Sequence, residues 1–419
     1  MKRSAGLYLH VPFCSHRCPY CDFNVWPVDR LEAAGRFDRR GFVEILRREI
    51  AWLVSRYEKS NGTPPLETIY FGGGTPSLLE PGEVRDLIRQ SGRPAAGLSE
   101  VTLEANPESL SEEALAGFIE AGVTRLSLGV QSFSGEVLQK LGREHDGAAS
   151  RRALSFLSKS RGLGSWTCDL LYGVAGQSEK TFDRDVDELL DFGPPHVSLY
   201  ALEVHEQTAF GLRERRGEAL AASDDEQAGL FDLARKRLLS AGYRHYELSS
   251  FCQPGHEGKH NSLYWRRASV LAAGPGGVGF LEDAAAPWGI RWKVPRSIPA
   301  YGAWVRALEA SGESTLSTAL RASSPGSPEI EILEKQSALD ESLFLGLRLL
   351  EEGVDLVVLS QRFGKEAVER RLAGAQHHFK SGALQRRGER LFLDAGRAFV
   401  ANAVLADVLE GETAARKSP

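Results

Sequence analysis

The sequence predicts an α/β protein. We expect an open (βα)6 partial TIM-type barrel, followed by a small helical, winged-helix-like domain. Three observations predict it. Apolar runs of strand length alternate with segments of helical periodicity from Leu7 to about residue 241. Polar or glycine-rich residues collect where those strands end, as in barrels that carry chemistry at strand C-termini. Beyond Trp265 the composition shifts to Gly, Ala, Pro and Ser, and then to helices with a short hairpin. Six units are too few to close an eight-stranded barrel, so the barrel is expected to be open.

The elements follow in order. Leu7, Leu9 and Val11 alternate with Tyr8 and His10 as a short strand that Pro12 ends. Phe42, Ile45, Leu46, Ile50 and Leu53 mark a helix over 37–57, and Gly62-Thr63-Pro64-Pro65 breaks it. Leu66 to Phe71 is a strand ending in Gly72-Gly73-Gly74-Thr75-Pro76. A helix follows over 81–90, then a strand over 101–104 that ends in Glu104-Ala105-Asn106-Pro107. The helix 111–121, the strand 123–129 and the turn Val130-Gln131-Ser132-Phe133 come next. Helices near 148–159, 180–191 and 224–241 alternate with strands over 165–171 and 196–202. Residues 1–245 read as the barrel and 246–329 as a bridging segment, with Ser323 to Pro328 as its clearest linker. Residues 330–419 read as the C-terminal domain. Its helices are expected over 338–350, 355–362, 365–379 and 398–409, with short strands near Leu384 and Leu391.

Composition excludes several functions. A net charge of −5 gives no electrostatic case for nucleic acid. The first residues lack an apolar signal segment, and no apolar run is long enough to span a bilayer. We expect a cytoplasmic chain. Five cysteines, three of them in one loop, fit a reducing compartment, and Cys168 and Cys252 read as buried thiols.

Cys14, Cys18 and Cys21 have the spacing C-x3-C-x2-C directly after the first strand. Three thiolates on so short a loop suit a metal and leave one coordination position open. The spacing alone fits an iron–sulfur cluster or a Cys3His zinc site completed by His10 or His16. Singly, the glycine run, Glu104, Gln131, Arg143 and Asp169 are ordinary turn, cap and surface residues.

Together they resemble the HemN-like branch of the radical S-adenosylmethionine (SAM) superfamily. The stretches that match are Tyr8-Leu-His-Val-Pro-Phe-Cys14, Tyr70-Phe-Gly-Gly-Gly-Thr-Pro-Ser77, Glu104-Ala-Asn-Pro107 and Arg125-Leu-Ser-Leu-Gly-Val-Gln-Ser-Phe133. Leu141-Gly-Arg-Glu-His145, Asp169-Leu-Leu-Tyr-Gly173 and Ser198-Leu-Tyr-Ala-Leu-Glu203 continue the series. The resemblance implies that Cys14, Cys18 and Cys21 hold a [4Fe-4S] cluster. It implies that Tyr8, Tyr20, Gly73, Gly74, Thr75, Glu104, Gln131, Arg143 and Asp169 contact SAM. That branch holds coproporphyrinogen dehydrogenases and heme chaperones. The dehydrogenases carry a fourth cysteine and a longer N-terminal extension; here Phe23 takes the cysteine's place, so dehydrogenase activity is not expected. His260-Asn-Ser-Leu-Tyr-Trp265 resembles the chaperones' heme motif and implies His260 as a heme ligand. The implied partners are heme and acceptor haemoproteins, membrane-bound respiratory enzymes among them. Leu271 to Phe280 departs from the group's G-x-G-A-H-S stretch. The alternative is a radical SAM enzyme acting on a tetrapyrrole, as a dehydrogenase or a methyltransferase.

Overall fold

The computed structural model describes residues 4–35, 37–60, 64–321 and 329–410. The barrel is built from β1 (Ala5–Val11), α1 (Arg39–Glu58), β2 (Leu66–Gly73), α2 (Pro81–Gln90), β3 (Glu100–Ala105) and α3 (Glu112–Ala121). It continues through β4 (Arg125–Gln131), α4 (Gly147–Lys159), β5 (Ser165–Tyr172), α5 (Glu179–Phe192), β6 (His196–Ala201) and α6 (Asp224–Ser240). These are the six units the sequence predicts. Ser111, Asp146, Ser178 and Ser223 each cap the start of their helix by accepting a backbone N–H. Gly122 and Gly193 end theirs in the left-handed conformation.

Strands β1 to β6 pair in parallel in sequence order. Parallel strands are usually apolar on both faces. These are not. Leu7, Leu9, Ile69, Phe71, Val101, Leu103, Leu126, Leu128, Cys168, Leu170, Val197 and Leu199 are buried against the helix layer. The alternate positions Tyr70, Thr102, Glu104, Ser127, Thr167, Asp169 and Ser198 turn inward and line a lumen.

The sheet is larger than six strands. After β6 the chain adds β7 (Arg244–Glu247) and β8 (Ser250–Cys252), which pair antiparallel on that edge. Helix α7 (Lys259–Trp265) then leads to β9 (Val270–Ala273), which pairs parallel to β1 as a seventh barrel strand. β10 (Val278–Asp283) and β11 (Ala286–Lys293) form a hairpin, α8 (Ile298–Ala310) follows, and β12 (Glu329–Ile332) ends the edge. The segment expected to bridge two domains is therefore largely ordered sheet; the expected linker at 323–328 lies outside the described residues. Its glycines make room for aromatics, since a Cβ on Gly279 would collide with the fully buried Trp292 ring.

The C-terminal domain holds α9 (Lys335–Gly346), β13 (Val354–Asp355), α10 (Leu356–Phe363), α11 (Lys365–Gly374) and α12 (Gln376–Lys380). β14 (Leu384–Arg387), β15 (Arg390–Leu393) and α13 (Ala401–Glu410) complete it. Helices packed beside a three-stranded sheet give the winged-helix-like shape the sequence predicts.

One buried acid ties α1 to the added edge. Glu49 is wholly buried and accepts from the Gly274 N–H (2.8 Å), Tyr301 Oη (2.7 Å) and Trp304 Nε1 (3.3 Å). Burial pushes its carboxyl up to about 7. A raised acid binds its proton more tightly in the folded state, so this contribution is complete below the unfolded pKa. It is lost as pH rises through about 7. Glu49→Gln is expected to gain on the wild type between pH 5 and 8 by up to roughly 3 kcal/mol, measured by denaturant unfolding. A pH-independent difference would contradict this.

Candidate functional site

The C-terminal ends of the strands meet the cysteine loop around a cavity of about 380 Å³. Phe13–Cys14 pairs with Trp26–Pro27, a clip that returns the loop to the end of β1. Cys14, Cys18 and Cys21 all face the cavity as free thiols. Burial raises the thiols of Cys14, up to about 11, and of Cys21; a bound metal would displace such protons.

The loop is held by a circuit of side chains. Cys14 Sγ lies 3.6 Å from Thr75 Oγ1, and Asn106 Nδ2 donates to that hydroxyl at 3.0 Å. Arg143 Nη2 donates to Asn106 Oδ1 (2.6 Å), and Nη1 donates to Cys18 Sγ (3.7 Å). Three strand ends are thus wired to two of the three cysteines. Asn106 is the member the sequence did not single out, although it stands in the matched Glu104 to Pro107 stretch.

Gly73 and Gly74 form the wall beside Cys14. Gly73 has φ +110°, and a Cβ there would lie 2.5 Å from the His10 ring; one on Gly74 would strike the Phe13 carbonyl. Glu104 holds this strip, accepting from the Gly73 N–H (3.0 Å) and Tyr70 Oη (2.7 Å). Burial lifts Glu104 to about 7 and Asp169 to about 6. Ser127 donates to Asp169 Oδ2 at 2.7 Å, while Asp169 Oδ1 and Arg143 Nε, both buried, have no hydrogen-bond partner among the described residues. Buried polar atoms without partners, on a cavity wall, are what a missing ligand leaves behind. Gln131 ends β4 with φ +64°, a strained conformation that turns it into the cavity. Tyr20 lines the same space and packs on Phe210.

Zinc fits poorly. His10 is engaged at both nitrogens, Nε2 donating to the Asn24 carbonyl (2.9 Å) and Nδ1 lying 3.1 Å from Tyr8 Oη. His16 Nε2 donates to the Gly142 carbonyl (2.8 Å), and its Nδ1 stands 3.1 Å from Glu144 Oε2. Nor are the thiols drawn together. Among the described residues, only His377, His378 and Asp407 bring three ligand atoms within 4.8 Å of one another. Sulfurs around one zinc ion stand about 3.8 Å apart. The donor set fits a cluster held by three thiolates, with a zwitterionic cofactor against the glycine strip.

Two expected contacts are placed elsewhere. Tyr8 does not line the cavity; it stacks on Tyr70 and hydrogen-bonds His10 Nδ1 at 3.1 Å, behind Gly72. It supports the wall without reaching its face. His260 lies at the other end of the barrel, where α7 anchors to Glu100 through the N–H groups of Lys259 and His260. Its ring is fully buried, with Nδ1 2.8 Å from Thr68 Oγ1 and Nε2 3.2 Å from Tyr264 Oη. Burial drops its pKa to about 3. Both ring nitrogens are engaged within the protein, so in this conformation His260 offers heme no ligand.

Two aromatic rings stand exposed at the rim of the cavity. Phe23 is 60% exposed and Tyr200 45%, and both line the cavity. The His205 imidazole, 41% exposed, stands 3.8 Å from Asp22. No helix among the described residues is long and apolar enough to cross a membrane.

A family model described as the radical SAM superfamily matches residues 8–189. The chain is 34% identical over 357 residues to the heme chaperone HemW of Lactococcus lactis subsp. lactis, covering 83% of this chain and 82% of that protein. It is 40% identical over 281 residues to the heme chaperone HemW of Mycobacterium tuberculosis, covering 66% and 69%. The solved structure of coproporphyrinogen III oxidase (HemN) from Escherichia coli superposes with a TM-score of 0.75 at 17% identity, over 97% of this chain and 90% of that one. That last likeness is one of fold.

Proposed function

This chain belongs to the HemW family of the radical SAM superfamily, and from that premise we propose that it is a heme chaperone, binding heme and passing it to acceptor haemoproteins. The observation that carries the reading is the match to proteins named heme chaperone HemW along 82% of the Lactococcus lactis relative. Superfamily membership implies a [4Fe-4S] cluster and SAM. When bound, they supply one-electron reductive cleavage of SAM.

Cys14, Cys18 and Cys21 hold the cluster. The Gly73–Thr75 strip meets the methionyl end of SAM, Glu104 accepts from its ammonium and Arg143 donates to its carboxylate. Asp169 Oδ1 accepts from the ribose diol, Tyr20 packs near the adenine and Gln131 closes the wall. Phe23 stands on the rim where the dehydrogenases carry a fourth cysteine, which favours chaperone over dehydrogenase.

The cluster and SAM occupy the lumen in this reading, so heme docks at the rim. Phe23 and Tyr200 cover one face of the macrocycle, and His205 is the accessible imidazole for its iron. Adding heme to the cluster-loaded protein is expected to shift the Soret band, and His205→Ala to weaken binding about tenfold or more. His260→Ala is expected to keep the heme spectrum while lowering stability, because it strips partners from Thr68 and Tyr264. Heme binding no stronger than to a non-specific control protein would overturn the function. Loss of the Soret signal in His260→Ala alone, in a folded variant, would return the ligand to α7.

A further inference from the structure

The C-terminal domain presents a second cluster of metal-binding side chains, on α12 and α13. His377 Nε2 lies 3.2 Å and His378 Nε2 2.9 Å from the same oxygen, Asp407 Oδ2. All three ligand atoms fall within 4.8 Å of one another. Neighbouring residues on a helix project about 100° apart, so adjacent imidazoles ordinarily diverge. Here the two rings lie against each other, centroids 3.8 Å apart at 41°, and both aim Nε2 at one carboxylate.

We infer that His377, His378 and Asp407 form a binding site for a divalent transition-metal ion of the zinc class, separate from the cysteine loop. Around an ion at about 2.0–2.1 Å, neighbouring ligand atoms stand roughly 2.9 Å apart in octahedral and 3.4 Å in tetrahedral geometry. The two nitrogen–oxygen separations fall within that range. Each ring presents a lone pair at Nε2 when Nδ1 carries its proton. Two imidazoles and one carboxylate form a set suited to zinc, nickel, copper or ferrous iron. Three protein ligands leave further positions to water, which makes the site exchangeable. His378 is largely buried while His377 and Asp407 are reached from solvent, so the ion has both a fixed anchor and an entry path.

The ion would bind α13, the last described helix, to α12. Val404, Leu405 and Val408 bury the apolar face of α13 in the domain core. Metal would therefore stabilise the packing of that helix. The inference does not depend on the chaperone reading.

The test uses the full-length, cluster-loaded protein, in which the loop thiolates are already occupied. Zinc is titrated by calorimetry, and cobalt(II) difference spectra report the ligand geometry. One zinc per chain at micromolar affinity is expected. His378→Ala and Asp407→Asn should each weaken it by about 30-fold or more, and His205→Ala should leave it unchanged. Zinc at a hundred times its dissociation constant should raise the melting temperature by several degrees in the wild type and not in the variants. Circular dichroism without metal confirms that the variants fold. Zinc uptake equal in the wild type and in the triple variant His377→Ala, His378→Ala, Asp407→Asn means an adventitious ion only, and overturns the site. Absence of zinc binding means that Asp407 merely accepts two hydrogen bonds, and overturns it equally.

Discussion

Cys18→Ala is expected to abolish the cluster. Anaerobic reconstitution of the wild type should give a brown protein with about four iron and four sulfide per chain, whereas the variant should retain neither. The reason is geometric as well as chemical. Cys18 receives the Arg143 Nη1 hydrogen bond at 3.7 Å and closes the circuit through Asn106 and Thr75 to Cys14. Its loss removes one of three ligands and one of the loop's ties to the strand ends, while those of Cys14 and His16 remain. The protein should still fold, because the barrel core lies between the strands and the helix layer and Cys18 is not part of it. Stoichiometric zinc without acid-labile sulfide in the wild type would contradict the assignment.

Arg143→Ala should leave the cluster absorbance in place and weaken SAM binding about ten- to a hundredfold, the loss of roughly 1.5–3 kcal/mol for a charge-assisted hydrogen bond. Calorimetry on the reconstituted protein checks it. The pH dependence gives a second signature. Asp169 is raised to about 6, chiefly by burial, so its carboxylate is intact above that pH and protonated below it. A protonated carboxyl loses acceptor capacity towards a diol. Glu104, raised to about 7, protonates first. SAM affinity should therefore fall in two steps as pH drops through about 7 and then about 6, and Asp169→Asn should be weaker and keep only the step near 7. Unchanged affinity in Arg143→Ala, Glu104→Ala and Asp169→Asn together would show that SAM binds elsewhere.

The barrel was legible because each strand alternates. Thr102 and Glu104 between Val101, Leu103 and Ala105 show both that β3 is a strand and that one of its faces is polar. The glycine strip was legible because it stands where a strand ends; Asp169 lies inside β5 and was legible through its place in a matched stretch. Other features were not. β9 is four apolar residues, and the short helix before it is crowded with His260 and Asn261, so no periodicity announces a seventh unit. The Gly, Ala, Pro and Ser of 272–327 read as part of a bridging segment because sequence does not show that Trp292 needs a bare neighbour. His260 was singled out by its motif, and its packing was not legible because one of its partners is far away in sequence. Thr68 lies 192 positions off, and only the folded barrel brings that hydroxyl to the ring. Tyr8 was legible as a strand residue, but that it stacks on Tyr70 and bonds His10 behind the cavity lining was not, because only the sheet register brings those rings together.

The most direct test pairs two incubations of the anaerobic, cluster-loaded protein. One supplies heme and then an apo-haemoprotein; the other supplies coproporphyrinogen III with SAM and a reductant. The expected result is saturable heme binding, transfer of that heme to the acceptor, and no decarboxylated tetrapyrrole. Decarboxylation of coproporphyrinogen III by a protein that binds no heme above a non-specific control would contradict the chaperone reading and put a dehydrogenase in its place.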